Sequence, residues 1–258
     1  MNKIYRYTSF ESFVDTVIRK KLTFVHPSLW DDPYELHYLY QEIESKFKKS
    51  TGKLDTDVLE AILQYIIANK LYAQSWTSLD ESDALWRIYF HGGTSLRIAV
   101  EREKAKLLEG VEIIEVNYVD SYEETVKKKK DFYGLIGTKR KAFSHENEVR
   151  LVKHYKYSDT DDAEEHIKAF FALSGKLSEY FGKINIDQIK EEVDKLVKKL
   201  NSNIQEKTQY VSFDKVDNFI DSVMLNPFAP GWVDETLRLF CEKNDLRYLG
   251  KSTLYNDF

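Results

Sequence analysis

The chain has 258 residues, with Lys and Arg at 38 against Asp and Glu at 43, a formal net charge of −5. That length can bury a sizeable core, as one large domain or as a core with an appended helical piece, and the near balance of charge argues against a dedicated duplex-binding protein, which carries a basic footprint. A single cysteine, Cys241, leaves neither a disulfide framework nor a thiolate zinc site.

The N-terminus runs straight into an aromatic, strand-like segment without a signal-peptide pattern, and no apolar stretch approaches the ~20 residues that a spanning helix needs. A soluble cytoplasmic protein with no membrane segment is the expectation. Residues 3–8 read as a strand closed by Ser9, a good helix N-cap. Phe10, Phe13, Val14, Val17 and Ile18 then recur at helical spacing. Residues 22–25 return as a strand, and Pro27 with Asp31-Asp32-Pro33 marks a loop. Residues 56–71 give the clearest helix of the first half. Strands are expected at 72–76, 95–100 and 111–119, with a short helix at 83–90 ended by Gly92-Gly93.

Residues 121–141 are polar and expected to be helical; their four lysines at 127–130 read first as a solvated face and second as a nucleic-acid contact. Residues 159–209 are charged and lack strand signals, which predicts an inserted helical hairpin serving oligomerisation or partner binding. A strand at 219–225, a break at Asn226-Pro227, a helix at 232–243 and a last strand at 246–249 complete the chain. The organisation is an α+β core formed by 1–158 and 210–258, with 159–209 inserted. Uneven helices and the lack of a Gly-rich turn between strand and helix argue against a doubly wound sheet.

The densest polar stretch is 138–152. On a strand, alternate residues share a face, so Glu146, Glu148 and Arg150 are expected on one side with Val149 and Leu151 on the other. Such a face is often chemical; a solvated strand with loosely paired side chains is the plain alternative. Arg150 reads as the partner that keeps the glutamates ionised, and both glutamates are expected to be exposed cleft carboxylates that add little to stability. The six histidines show no paired-ligand spacing, and Asp31, Asp32 and Glu35 form only a weak acidic cluster, so no metal site is assigned. Walker, dinucleotide-fold and nucleophile-elbow motifs are absent.

Several pieces resemble a bacterial family catalogued only as a domain of unknown function. They are Ile4-Tyr5-Arg6-Tyr7-Thr8-Ser9, Trp30-Asp31-Asp32-Pro33-Tyr34-Glu35, Ser75-Trp76-Thr77-Ser78, Leu85-Trp86-Arg87-Ile88-Tyr89, Glu146-Asn147-Glu148-Val149-Arg150-Leu151 and Asn226-Pro227-Phe228-Ala229-Pro230-Gly231-Trp232. The chain departs from that pattern at Asp31, where the family more often has Asn, and in the glycine spacing of 90–93.

A looser likeness carries chemistry. Arg6 on an early strand, Ser75 and Ser78 on a middle one, and Glu146 with Glu148 on a later one are similar to the Arg–Ser–Glu order of mono-ADP-ribosyltransferases. The resemblance implies a mixed, split β-sheet core with surrounding helices, NAD as substrate, and an intracellular toxin or phage-defence effector modifying protein or nucleic acid, with an antitoxin as a conceivable partner. It implies that Glu148 offsets charge on the ribose, that Glu146 activates the acceptor, and that Arg6 grips phosphate. It also implies that Ser75 fixes the local geometry around Glu148, that Ser78 and Arg150 belong with it to the cofactor site, and that Tyr7, Trp86 and Tyr89 stack on the ligand; for Trp86 and Tyr89, core packing is the simpler reading. The alternatives are a non-catalytic ligand- or nucleic-acid-binding module on the same fold, and a metal-dependent nuclease using Asp31, Asp32, Glu35, Glu146 and Glu148.

Overall fold

The computed structural model describes residues 2–30, 32, 38–39, 41–42, 45, 71–121, 123–124, 132–154 and 208–256. The expected helix at 56–71, the lysines at 127–130 and nearly all of the 159–209 segment lie outside these residues; of that segment, only Thr208 and Gln209 are described, and they open a strand.

Strand β1 (Lys3–Ser9) leads into α1 (Phe10–Arg19), whose N-terminus is capped by the Ser9 hydroxyl accepting from the Ser12 N–H at 3.2 Å. The helix stops where Lys20 turns left-handed, with φ at 52°. Strands β2 (Lys21–Val25) and β3 (Leu71–Thr77), the short helix α2 (Asp83–Ile88) and strand β4 (Ser95–Glu101) follow. Then come α3 (Arg102–Lys106), β5 (Val111–Glu115), β6 (Asn117–Val119), α4 (Phe132–Ile136), β7 (Thr138–Arg140) and a 3-10 turn at Lys141–Glu146. Strand β8 (Glu148–His154), β9 (Thr208–Ser212), α5 (Val216–Phe219), β10 (Ser222–Leu225), α6 (Gly231–Lys243) and β11 (Tyr248–Lys251) complete the described chain.

Nine of these strands form one mixed sheet, in the order β11-β10-β4-β1-β3-β2-β9, with β8 alongside β3 and β5 outside β8. The β10–β11 pair is parallel and the other pairs are antiparallel. The class is therefore α+β, with helices set against a large sheet. Period-two alternation sorts its faces. Ile4, Leu96, Ile98, Val100, Val149 and Leu151 point into the main core, where Phe13 and Val17 of α1 and Val233, Leu237 and Cys241 of α6 meet them. The opposite face is polar: Ser75, Thr77, Glu148 and Arg150 share it, as the registers Ser75↔Arg150 and Thr77↔Glu148 require.

The sheet is not continuously paired. One edge of β3 pairs with β8 along its length, but the other meets β1 only at Tyr5↔Thr77 and β2 only at Val25↔Ala73. Around Ser75 the sheet is thus open between β1 and β3. A separate two-stranded parallel sheet, β6 with β7, packs beside the start of β8.

Five expectations are corrected by these elements. Residues 111–119 are two strands: Val116 still donates to Glu148 O at 3.0 Å, but Asn117 donates to Gly137 O at 2.7 Å, so the chain leaves the large sheet there. Thr138–Arg140, expected to be helical, form β7 because Gly137 ends α4 and hands the chain to β6. Glu146 is not on the strand: it closes the 3-10 turn, and Asn147 at φ 40° separates it from β8. Residues 219–225 divide into the end of α5 and β10, and the last strand begins at Tyr248, two residues later than expected.

Candidate active site

The opening between β1 and β3 is a cleft lined by Tyr5, Arg6, Tyr7, Ser75, Thr77, Leu85, Tyr89, Glu146 and Glu148. Its empty core is small, about 20 Å³, room for roughly one water molecule. Arg6 reaches it because no described strand fills the gap: its Nη1 donates to the carbonyl of Ser75 at 3.2 Å. Burial lowers the Arg6 guanidinium from its ordinary value to about 10, which leaves it cationic at neutral pH.

Glu148 is the centre of the cleft floor. It is 2% exposed, which overturns the expectation of an open cleft carboxylate. The Ser75 hydroxyl donates to its Oε1 at 2.7 Å, and Arg150 grips both oxygens, Nε to Oε1 at 3.0 Å and Nη2 to Oε2 at 3.2 Å. Lys139 Nζ approaches Oε2 at 3.1 Å and Glu146 Oε2 at 2.8 Å, so one ammonium bridges two carboxylates. Burial pushes the Glu148 carboxyl up, but Arg150, then Lys139 and the hydrogen bonds from Arg150 and Ser75, outweigh it and hold the group at about 2. Glu148 is therefore ionised at neutral pH.

Its backbone is also held. The Glu148 N–H donates to the Tyr118 hydroxyl at 2.8 Å, and that phenol is raised to about 12 by burial. Glu146 is held differently: the Thr77 hydroxyl donates to its carbonyl at 2.6 Å, so the 3-10 turn is pinned to the end of β3. The two carboxylates meet although they come from different kinds of backbone.

Of the remaining candidates, Arg150 is fully buried beneath the site: its Nη1 donates to Ile136 O at 2.7 Å and its guanidinium stacks on Trp30 at 5.0 Å. It acts on a ligand only through Glu148. Trp86 is fully buried, edge-on to Tyr7 with ring centroids 4.6 Å apart, and its indole N–H donates to Glu81. Tyr7 is 5% exposed, and its hydroxyl accepts from the Ser82 N–H, so it forms the cleft wall. Tyr89 stacks on Tyr7 at 6.2 Å and is half-buried, the one of the three proposed stacking rings that is not buried. Ser78 is outside the cleft lining; its backbone N–H and hydroxyl both approach Asn147 O, which ties the 3-10 turn to β3.

Of the acidic loop, Asp32 alone is described, and its recognised partner is not a glutamate of the cleft. Asp32 pairs with Arg140 at 2.8 Å, while Asp31 and Glu35 lie outside the described residues. Among the described residues no three His, Cys, Asp or Glu side chains are grouped as metal ligands, and no helix is long and apolar enough to cross a membrane. Three contributors were missed by sequence reasoning: Lys139, Tyr118 and Tyr5. Only Lys139 left a signal, as the cation seven residues before Glu146. Comparison with known protein families, with curated proteins and with solved structures found no match.

Proposed function

We propose that the cleft is the active site of an NAD-dependent mono-ADP-ribosyltransferase, on a split sheet of the kind that superfamily uses, acting on protein or nucleic acid as a toxin or defence effector. The observation that carries this reading is the convergence of Arg6, Ser75 and Glu148 at the opening between β1 and β3, with Ser75 bonded to Glu148 at 2.7 Å and to Arg6 through its carbonyl. In the reaction, the bond between the ribose C1′ and the nicotinamide nitrogen breaks, and its electron pair leaves with neutral nicotinamide. Positive charge develops on the ribose, and an ionised Glu148 offsets it. The acceptor then bonds to C1′ and gives its proton to Glu146. Arg6, cationic and with one hydrogen bond to protein among the described residues, supplies a planar grip for phosphate.

One observation favours the runner-up, a non-catalytic binding module: the cavity of about 20 Å³ is far below the ~300 Å³ of ordinary small-molecule sites, and both Glu148 oxygens are engaged. The transferase reading therefore requires Tyr89 and Glu146 to move apart as the nicotinamide riboside enters. Nicotinamide release from NAD by the wild-type chain decides between the two. Release is expected, with Glu148→Gln slowing it by on the order of 10²–10³. Binding without release leaves the binding module, and neither binding nor release removes both. Because Glu148→Gln leaves two cations around a neutral group, its folded fraction is measured alongside by near-UV circular dichroism.

A further inference from the structure

We propose that Lys139 is a positioning residue that draws Glu146 onto Glu148, so that both carboxylates face one ligand. The inference rests on the transferase reading of the cleft. Its ground is the geometry. Glu148 is fixed by its strand, by Ser75 and by Arg150, whereas Glu146 lies beyond the strand in the 3-10 turn and has no strand neighbour to set its side chain. Among the described residues, Lys139 pairs with both carboxylates, at 2.8 and 3.1 Å, and its side chain is just 10% exposed.

Lys139 also holds the turn a second way, its ammonium lying 4.8 Å from the Phe143 ring centroid. The lysine comes from outside the large sheet. It sits on β7, in register with Tyr118 of β6, and those two partners take the two ends of one residue: Tyr118 the Glu148 backbone, Lys139 its carboxylate. The small sheet thus works as a bracket around the glutamate pair. Two carboxylates brought this close repel each other without a shared cation, so removing the ammonium lets Glu146 swing away while Arg150 keeps Glu148 in place. In the proposed reaction that uncouples acceptor activation from bond cleavage.

The test uses the full chain and NAD labelled in its adenylate half, added to cell lysate. It reads label transferred to macromolecules divided by nicotinamide released, a ratio that a lower folded fraction alone does not change. Lys139→Met is expected to lower this ratio roughly tenfold, a part of the ~10²–10⁴ that a well-placed general base contributes, and Lys139→Arg to restore most of it. Glu146→Gln should lower it at least as much, and adding Lys139→Met to Glu146→Gln should cost about twofold or less, because the lysine acts through that glutamate. Lys139→Gln replaces Lys139→Met if the latter does not fold. An unchanged ratio in the lysine variants, or losses that multiply in the double variant, overturns the proposal while the transferase reading stands. If the wild-type chain releases no nicotinamide, both fall.

Discussion

At the scale of single residues, Arg6 separates ligand binding from folding most cleanly. Among the described residues its one hydrogen bond to protein is to a backbone carbonyl across the gap, and burial has already taken its guanidinium partly out of water. Arg6→Lys keeps the charge but loses the flat fork that holds Ser75 O and, in the proposed reaction, would hold a phosphate oxygen beside it. A charged hydrogen bond of about 1.5–3 kcal/mol corresponds to a rise in KM for NAD of roughly 10- to 100-fold. The melting temperature should fall by no more than a few degrees, since a neighbouring carbonyl at the gap regains solvent or the lysine. Steady-state kinetics with thermal melts check this; an unchanged KM takes Arg6 out of the binding site. Glu148 is the contrast, because it cannot be altered for chemistry without also disturbing Arg150 and Lys139.

At the scale of elements, the hinge between α4 and β7 decides where Lys139 stands. Gly137 donates to Tyr133 O and accepts from Asn117, and a Cβ there would lie 2.5 Å from the Ile114 Cγ2 and 3.1 Å from Glu115 O. Ile114 is branched at Cβ and cannot turn aside easily. Gly137→Ala should therefore cost about 1–3 kcal/mol of stability by overpacking, measured by urea unfolding; a loss below about 0.5 kcal/mol shows that the hinge has slack. Sequence reading found the elements whose signals are local. Ser9 announced α1, and the alternation of Val149 and Leu151 against Glu148 and Arg150 fixed the faces of β8. It failed where a distant partner decides. Three residues of β7 are a strand only because β6 lies beside them, and Glu146 left the strand because the Asn147 turn, tied to Thr77 and Ser78, breaks it. Burial of Glu148 was likewise invisible, since it depends on Trp30, Arg150 and the small sheet closing around one residue.

At the scale of the whole molecule, the site is where three separately built parts meet: β1 with its half of the sheet, β3 with β8, and the β6–β7 bracket. Their shared contact is ionic, so the integrity of the fold and the charge of Glu148 are linked. The carboxyl sits at about 2 in the folded chain against 4.5 for an ordinary glutamate. A group lowered on folding stabilises the native state above its unfolded value, and that contribution disappears as pH falls through the folded one. Here it is present in full above about pH 5 and fades toward pH 2, amounting to about 3 kcal/mol. Glu148→Gln has no such proton to bind. The stability difference between wild type and this variant, from urea unfolding at pH 7, 5, 4 and 3, should be largest at the two higher values and shrink steadily below pH 5. A difference that stays constant from pH 7 to pH 3 means that folding does not lower the Glu148 carboxyl, so Arg150 and Lys139 do not hold it as an ion pair in solution. The carboxyl would then titrate as an ordinary glutamate, and the two cations would contribute nothing to its charge.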